Sequence, residues 1–128
     1  MGAACRERNM VRQGYIIWLD FDPQIGYEQK GRRPALVVSN TAFSIYSKFA
    51  IVCPITTTIT NLQSHIVLDS RTQTTGVILC DHVKSIDIRA RKYKFIEVVP
   101  QDILLKVIDT IGDFMDPDKK ITTINTKG

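Results

Sequence analysis

The chain is poor in the residues that staple, anchor or repeat a protein. Cysteine occurs three times in 128 residues, an odd number at wide spacing that suits neither a disulfide framework nor a Cys-x-x-Cys zinc site. Cys5, Cys53 and Cys80 are therefore expected to be reduced thiols, two of them in the core. No apolar run approaches the roughly 20 residues that cross a bilayer. The first ten residues carry charge where a signal peptide has its apolar core. A cytoplasmic protein with no membrane partner is the expectation. Gly2 is followed at the decisive position by Arg6 rather than Ser or Thr, which removes the myristoylation pattern. Internal repeats and low-complexity tracts are missing, so solenoids and fibres are excluded. Asp20 and Asp22 are two residues apart, but the Asp22-Pro23 turn accounts for them better than a metal site, and no metal or other cofactor is expected.

What remains is an ordinary globular composition, 44% hydrophobic and 23% charged, at a length that supports one core. The net charge of +4 and pI near 9.1 favour acidic or polyanionic partners, because Lys and Arg facing phosphates gain from counterion release. Tyr15 to Phe21 is β-branched and aromatic and ends in a turn signal, so it reads as a strand. Pro34 opens a second, Ala35–Ser39. Phe49–Pro54, His65–Asp69, Gly76–Cys80 and Val83–Ile88 follow as short strands. From Pro100 to Phe114, Ile103, Leu104, Val107, Ile108 and Ile111 recur at helical spacing. Residues 11–116 are expected to form one domain, mainly β with a C-terminal helix, between a loose leader of residues 1–10 and a polar tail of residues 117–128. Met10 is an alternative start. Short strands closed by one helix suggest a small curled sheet or barrel.

Four segments are specific in combination. They are Gly14-Tyr-Ile-Ile-Trp-Leu-Asp-Phe-Asp-Pro23, Gly26-Tyr-Glu-Gln-Lys-Gly-Arg-Arg-Pro34, Val52-Cys-Pro-Ile-Thr-Thr57, and Thr75-Gly-Val-Ile-Leu-Cys-Asp81 leading into Ile86-Asp-Ile-Arg-Ala-Arg91. In order and spacing they resemble the MazF/PemK-type toxins of bacterial toxin–antitoxin pairs, over roughly Gly14 to Phe114. The resemblance implies an SH3-like barrel, a homodimer, cleavage of single-stranded RNA in a sequence-specific way, and a MazE-like antitoxin. The basic charge of this domain suggests that the antitoxin's binding segment is acidic and disordered when free.

RNA carries its own nucleophile, so a protein can cut it without metal by deprotonating the 2′-hydroxyl, neutralising charge on the phosphoryl oxygens and helping the 5′-oxygen leave. Arginine suits the second task, since its fork pairs with phosphate and stays charged. Arg33, before Pro34 at a loop-to-strand junction, is either this residue or a surface arginine; the resemblance makes it catalytic. Thr56 either satisfies a strand end or holds a phosphate, and the resemblance again makes it catalytic. Glu28 is implied as a base or an orienting partner of Arg33. Asp81 is a possible base, but the PemK-type pattern pairs it with an arginine where Leu79 stands and a histidine where Tyr27 stands, so the Arg33 and Thr56 scheme is preferred. Tyr27, Gln29, Lys30, Arg32, Thr57 and Lys84 are the expected RNA contacts, Tyr27 as a stacking surface. Arg89, Arg91, Lys92 and Lys94, with Tyr93 and Phe95 between them, form either a nucleic-acid patch or a solvated strand face. His65 lies in a strand outside the catalytic motifs and is expected to be a surface or packing residue. His82 could touch RNA without a useful titration. Two alternatives are a same-fold toxin resembling CcdB that binds gyrase, which requires a C-terminal Trp-Gly-Ile that this chain lacks, and a noncatalytic RNA-binding barrel.

Overall fold

The computed structural model describes residues 10–21, 31–58 and 62–118. The expected leader and tail fall outside these residues except at their inner ends. β-Branched and aromatic runs form β1 (Tyr15–Asp20), β2 (Arg32–Val37), β3 (Phe49–Thr56), β4 (His65–Val67), β5 (Val77–Leu79), β6 (Lys84–Asp87) and β7 (Tyr93–Val98). A helix of seven residues, α1 (Thr41–Ser47), lies between β2 and β3, and α2 (Gln101–Met115) follows β7. The strands make one antiparallel sheet in the order β4-β5-β3-β2-β1-β7, with β6 also paired to β3. Its hydrogen-bonded path curls without closing.

Alternation along the strands buries both faces of the sheet. One face carries Ile16, Leu36, Cys53, Ile55 and Ile78, and it is covered by Ile103, Leu104 and Val107 of α2. The other carries Ile17, Leu19, Phe21, Ala35, Val37, Ala50, Val52, Ile86 and Ile88. β3 is the hub. It pairs with β2 through Val52 to Pro54, with β6 through Phe49 to Val52, and with β5 through Ile55 and Thr56. Pro54 falls between the two segments that meet β6 and β5, where an interruption in pairing tolerates a residue with no N–H.

One expectation is corrected, one helix is new, and one open reading gains a strand. β2 begins at Arg32 and contains Pro34 as the partner of Trp18, so Arg33 lies inside a strand rather than at a junction before it. Proline fits there because the pairing of β2 with β3 starts only at Ala35. Helix α1 was not anticipated; Asn40 caps it by accepting from the Phe43 amide at 2.7 Å. The basic and aromatic stretch near Tyr93 is strand β7, paired to β1, with Phe95 edge-on to Tyr15 at 4.7 Å between ring centroids.

Two carboxylates pin the segment before β5. Arg71 bonds Asp69 and also reaches Asp102 in the first turn of α2 through two bonds of 2.8 and 2.9 Å. The Arg71 guanidinium holds the Asp102 carboxyl below the usual range. Glu97 of β7 accepts from the amides of Gln73 and Thr74 and from the Thr74 hydroxyl. Both contacts fix the approach to Gly76, whose φ is +126°.

Candidate active site

The register of the sheet brings the site together. β2 and β3 pair Ala35 with Pro54, Leu36 with Cys53 and Val37 with Val52. Carried two residues further, that register sets Arg33 opposite Thr56. Arg33 shares the face of Ala35 and Val37, and Thr56 that of Val52, so both project at the end of the same buried cluster. Pairing of Thr56 with Val77, and of Leu79 with His65, carries this side of the sheet across β5 to β4. Arg33, Thr56, Thr57, Thr58, His65, Leu79 and His82 thereby line one open cavity of about 370 Å³, many times the roughly 30 Å³ that one water occupies.

Thr56 is 8% exposed. Its hydroxyl accepts from the Thr58 amide at 3.2 Å, so the side chain also shapes the turn that leaves β3. Asp81 lies in a single 3₁₀ turn, Cys80–His82, after β5. Its Oδ1 is 2.7 Å from His65 Nε2, and its Oδ2 is 4.0 Å from His82 Nε2. The side chain of His65 is 5% exposed and that of His82 26%. His65 is thus packed, as one of its two expected readings had it, but strand pairing folds β4 back beside β5 and turns the ring onto Asp81. Neither apolar periodicity nor a local motif signals a contact across 16 residues of sequence. A usable signal did exist in the alternation of His65-Ile-Val-Leu-Asp69, which puts His65 opposite in side to Ile66.

Other candidates lie elsewhere. Arg32 follows strand alternation to the opposite side from Arg33 and lines a second cavity, of about 540 Å³, with Asp20, Ala90, Arg91 and Lys92. Arg91 donates to the Asp20 carbonyl at 2.8 Å. Lys84 places its ammonium 5.9 Å from the centre of the Phe21 ring. Tyr27, Glu28, Gln29 and Lys30 lie outside the described residues. Cys53 and Cys80 are buried free thiols, as expected. Burial pushes the Cys80 thiol up to about 12, with the Asp81 charge adding to the effect, and burial likewise raises Cys53 far above the ordinary thiol range. Both are poor nucleophiles. Among the described residues, no three of His, Cys, Asp and Glu are grouped to hold a metal ion. No helix among them is long and apolar enough to cross a membrane.

Residues 12–115 match the family model described as PemK-like, MazF-like toxin of type II toxin–antitoxin system. The chain belongs to this toxin family. Endoribonuclease PemK of Escherichia coli is 32% identical over 114 residues, covering 86% of each chain. The crystal structure of MazF from Deinococcus radiodurans matches with a TM-score of 0.78 at 34% identity, over 83% of this chain and 96% of that one. A MazE-MazF structure from the same organism matches with a TM-score of 0.74 at 32% identity, with the same coverage. The curled sheet with its C-terminal helix is thus shared with a MazF toxin.

Proposed function

We propose that this toxin, an endoribonuclease, cuts single-stranded RNA without a metal by attack of the 2′-hydroxyl on the adjacent phosphate. The convergence of Arg33 and Thr56 in one open cavity, set by the β2–β3 register, carries this reading. Arg33 offers paired charge-assisted bonds to the phosphoryl oxygens as charge builds there. Thr56, fixed by the Thr58 amide, holds the phosphate against that fork. Glu28, in the segment before Arg33, takes the proton of the 2′-hydroxyl. Asp81 does not fill that place, since its Oδ1 is already engaged by His65. Tyr27, Gln29, Lys30 and Thr57 contact the RNA around the cut, and Arg32 and Lys84 hold flanking phosphates. Base readout at so shallow a site needs unstacked bases, so duplex RNA resists.

Purified protein incubated with single-stranded RNA in EDTA should yield 2′,3′-cyclic phosphate and 5′-hydroxyl ends at a recurring sequence. Replacing only the nucleotide before the cut by its 2′-deoxy form should abolish cleavage there. Scission of that bond in the deoxy substrate would rule out the mechanism, and a requirement for added metal would rule out metal independence.

The same reading extends to partners. The net charge of +4 and the Arg32, Arg91 and Lys92 cavity favour a MazE-like antitoxin whose acidic segment is disordered when free and competes with RNA. A homodimer provides the groove across which both ligands lie. Sedimentation at micromolar concentration should report the dimer, and a monomer there would remove the shared groove. A complex holding RNA in the cavity while antitoxin covers it would refute competition.

A further inference from the structure

Cleavage by the 2′-hydroxyl needs a proton delivered to the departing 5′-oxygen as well as one removed from the nucleophile. Among the described residues of the cavity, Arg33 stays protonated at any working pH. Thr56, Thr57 and Thr58 offer hydroxyls that do not titrate near neutrality, and Leu79 has no polar group. Only His65 and His82 belong to the residue type that exchanges protons there. They are not equivalent. The side chain of His65 is nearly buried and committed to Asp81 Oδ1 at 2.7 Å, whereas His82 is more exposed, on the cavity wall, with its Nε2 4.0 Å from the second oxygen of the same carboxylate.

We propose that His82 is the general acid of the reaction, and that Asp81, fixed by His65, is the positioning residue that orients its ring. The inference rests on the RNA-cleaving function proposed above. In the step, the 2′-oxygen forms a bond to phosphorus and the bond from phosphorus to the 5′-oxygen breaks. The imidazolium of His82 gives its proton to that oxygen, while the proton of the 2′-hydroxyl goes to Glu28. The products are the cyclic phosphate and a 5′-hydroxyl, and the protein has moved one proton from His82 to Glu28, which solvent restores. The groups facing His82 are Asp81 within its own turn, His65 from β4 and Arg33 across the cavity. α2 meets the turn through the apolar cluster of Cys80 with Ile103, Leu104 and Val107, and contributes no charge to that cluster. The Asp81 carboxylate, 4.0 Å from Nε2, gives the His82 ring a preferred direction at the cavity wall.

The deciding experiment compares an ordinary RNA with one whose scissile 5′-oxygen is replaced by sulfur, a leaving group that departs without protonation. His82→Gln should slow cleavage of the ordinary RNA by roughly 10²–10⁴-fold and remove the fall in rate on the alkaline side of the pH profile. On the sulfur substrate the same variant should cut at close to the wild-type rate, while Arg33→Ala remains slow on both. Equal losses on the two substrates, or wild-type cleavage of the ordinary RNA by His82→Gln, would overturn the assignment while leaving the endoribonuclease reading intact. If wild-type protein fails to cut either RNA, that reading falls and this one with it. Asp81→Asn should slow the ordinary substrate less than His82→Gln and leave the sulfur substrate near the wild-type rate. Equal slowing of both substrates by Asp81→Asn would overturn the positioning role.

Discussion

Adding one methyl group at Gly76 tests how tightly the site is tied to the fold. The backbone there has φ of +126°, and a Cβ built on it would stand 2.3 Å from the carbonyl oxygen of Thr56 and 3.0 Å from its carbonyl carbon. Both are main-chain atoms of the strand that presents the Thr56 hydroxyl, so no side chain can rotate aside. An L-residue in such a conformation costs about 1–3 kcal/mol, and forcing extra volume into a packed site adds about 1–3 kcal/mol. The sum, roughly 2–6 kcal/mol by these two contributions, is a large share of the about 5–15 kcal/mol that holds a domain folded. At about 4 °C per kcal/mol for this size, Gly76→Ala should melt roughly 8–24 °C below wild type. Gly112 is the control: it lies in α2 with nothing within 4 Å of a built Cβ, so Gly112→Ala should stabilise by about 0.5–1 kcal/mol. Thermal unfolding by circular dichroism reports both. Because relief of the clash must move Thr56, RNA cleavage by Gly76→Ala, measured below its melting point, should fall as well. A Gly76→Ala protein that melts within 2 °C (about 0.5 kcal/mol) of wild type would refute the argument from close approach, and opposite signs at the two glycines are its distinguishing mark.

Arg33→Ala should lose roughly 10²–10³-fold in cleavage, as for one lost oxyanion donor, and Arg33→Lys should recover little of it; steady-state kinetics on a defined RNA would measure both, and near-normal activity in a folded variant would remove Arg33 from the mechanism. Leu104→Ala, at a site 5% exposed beneath the sheet, should cost about 2–5 kcal/mol in urea unfolding without changing the cleavage sequence. Burial alone would raise the Glu97 carboxyl, but hydrogen bonds from Thr74 and Gln73 outweigh it and leave the group below its ordinary value. Its contribution is therefore present above the unfolded carboxylate pKa and lost as pH falls through the depressed folded value. Glu97→Gln should flatten that acid limb in urea midpoints measured from neutrality downward, and an unchanged slope would show the contact to be inconsequential.

The sheet was legible in the sequence wherever a short run rich in β-branched and aromatic residues ends at a turn signal. Tyr15 to Asp20 shows this, and α2 was legible from the spacing of Ile103, Leu104 and Val107. Helix α1 was not, because seven residues give less than two clear turns of periodicity and only Asn40 marked its start. Its end at Lys48, with φ of +68°, carries no glycine signal. Arg33, Thr56 and Thr57 were legible through motif order, and the cavity unites them. The histidines were not, because their place depends on which strands pair: His65 meets Asp81 only when β4 lies beside β5. Arg32 and Arg33 look alike in sequence, and strand alternation sends them to different cavities.

The β3 hub sets an order of events for a growing chain. Arg33 and Thr56 need β2 and β3, but the wall that carries His65 and His82 is placed by β4, β5 and the turn after them. During synthesis, which proceeds from the N-terminus, no partial chain ending before that turn contains the whole cavity. Because the pairings that build it join distant stretches of sequence, loop closure must precede any gain from them. The cavity is thus a late product of the chain, whole only once the turn after β5 has been made.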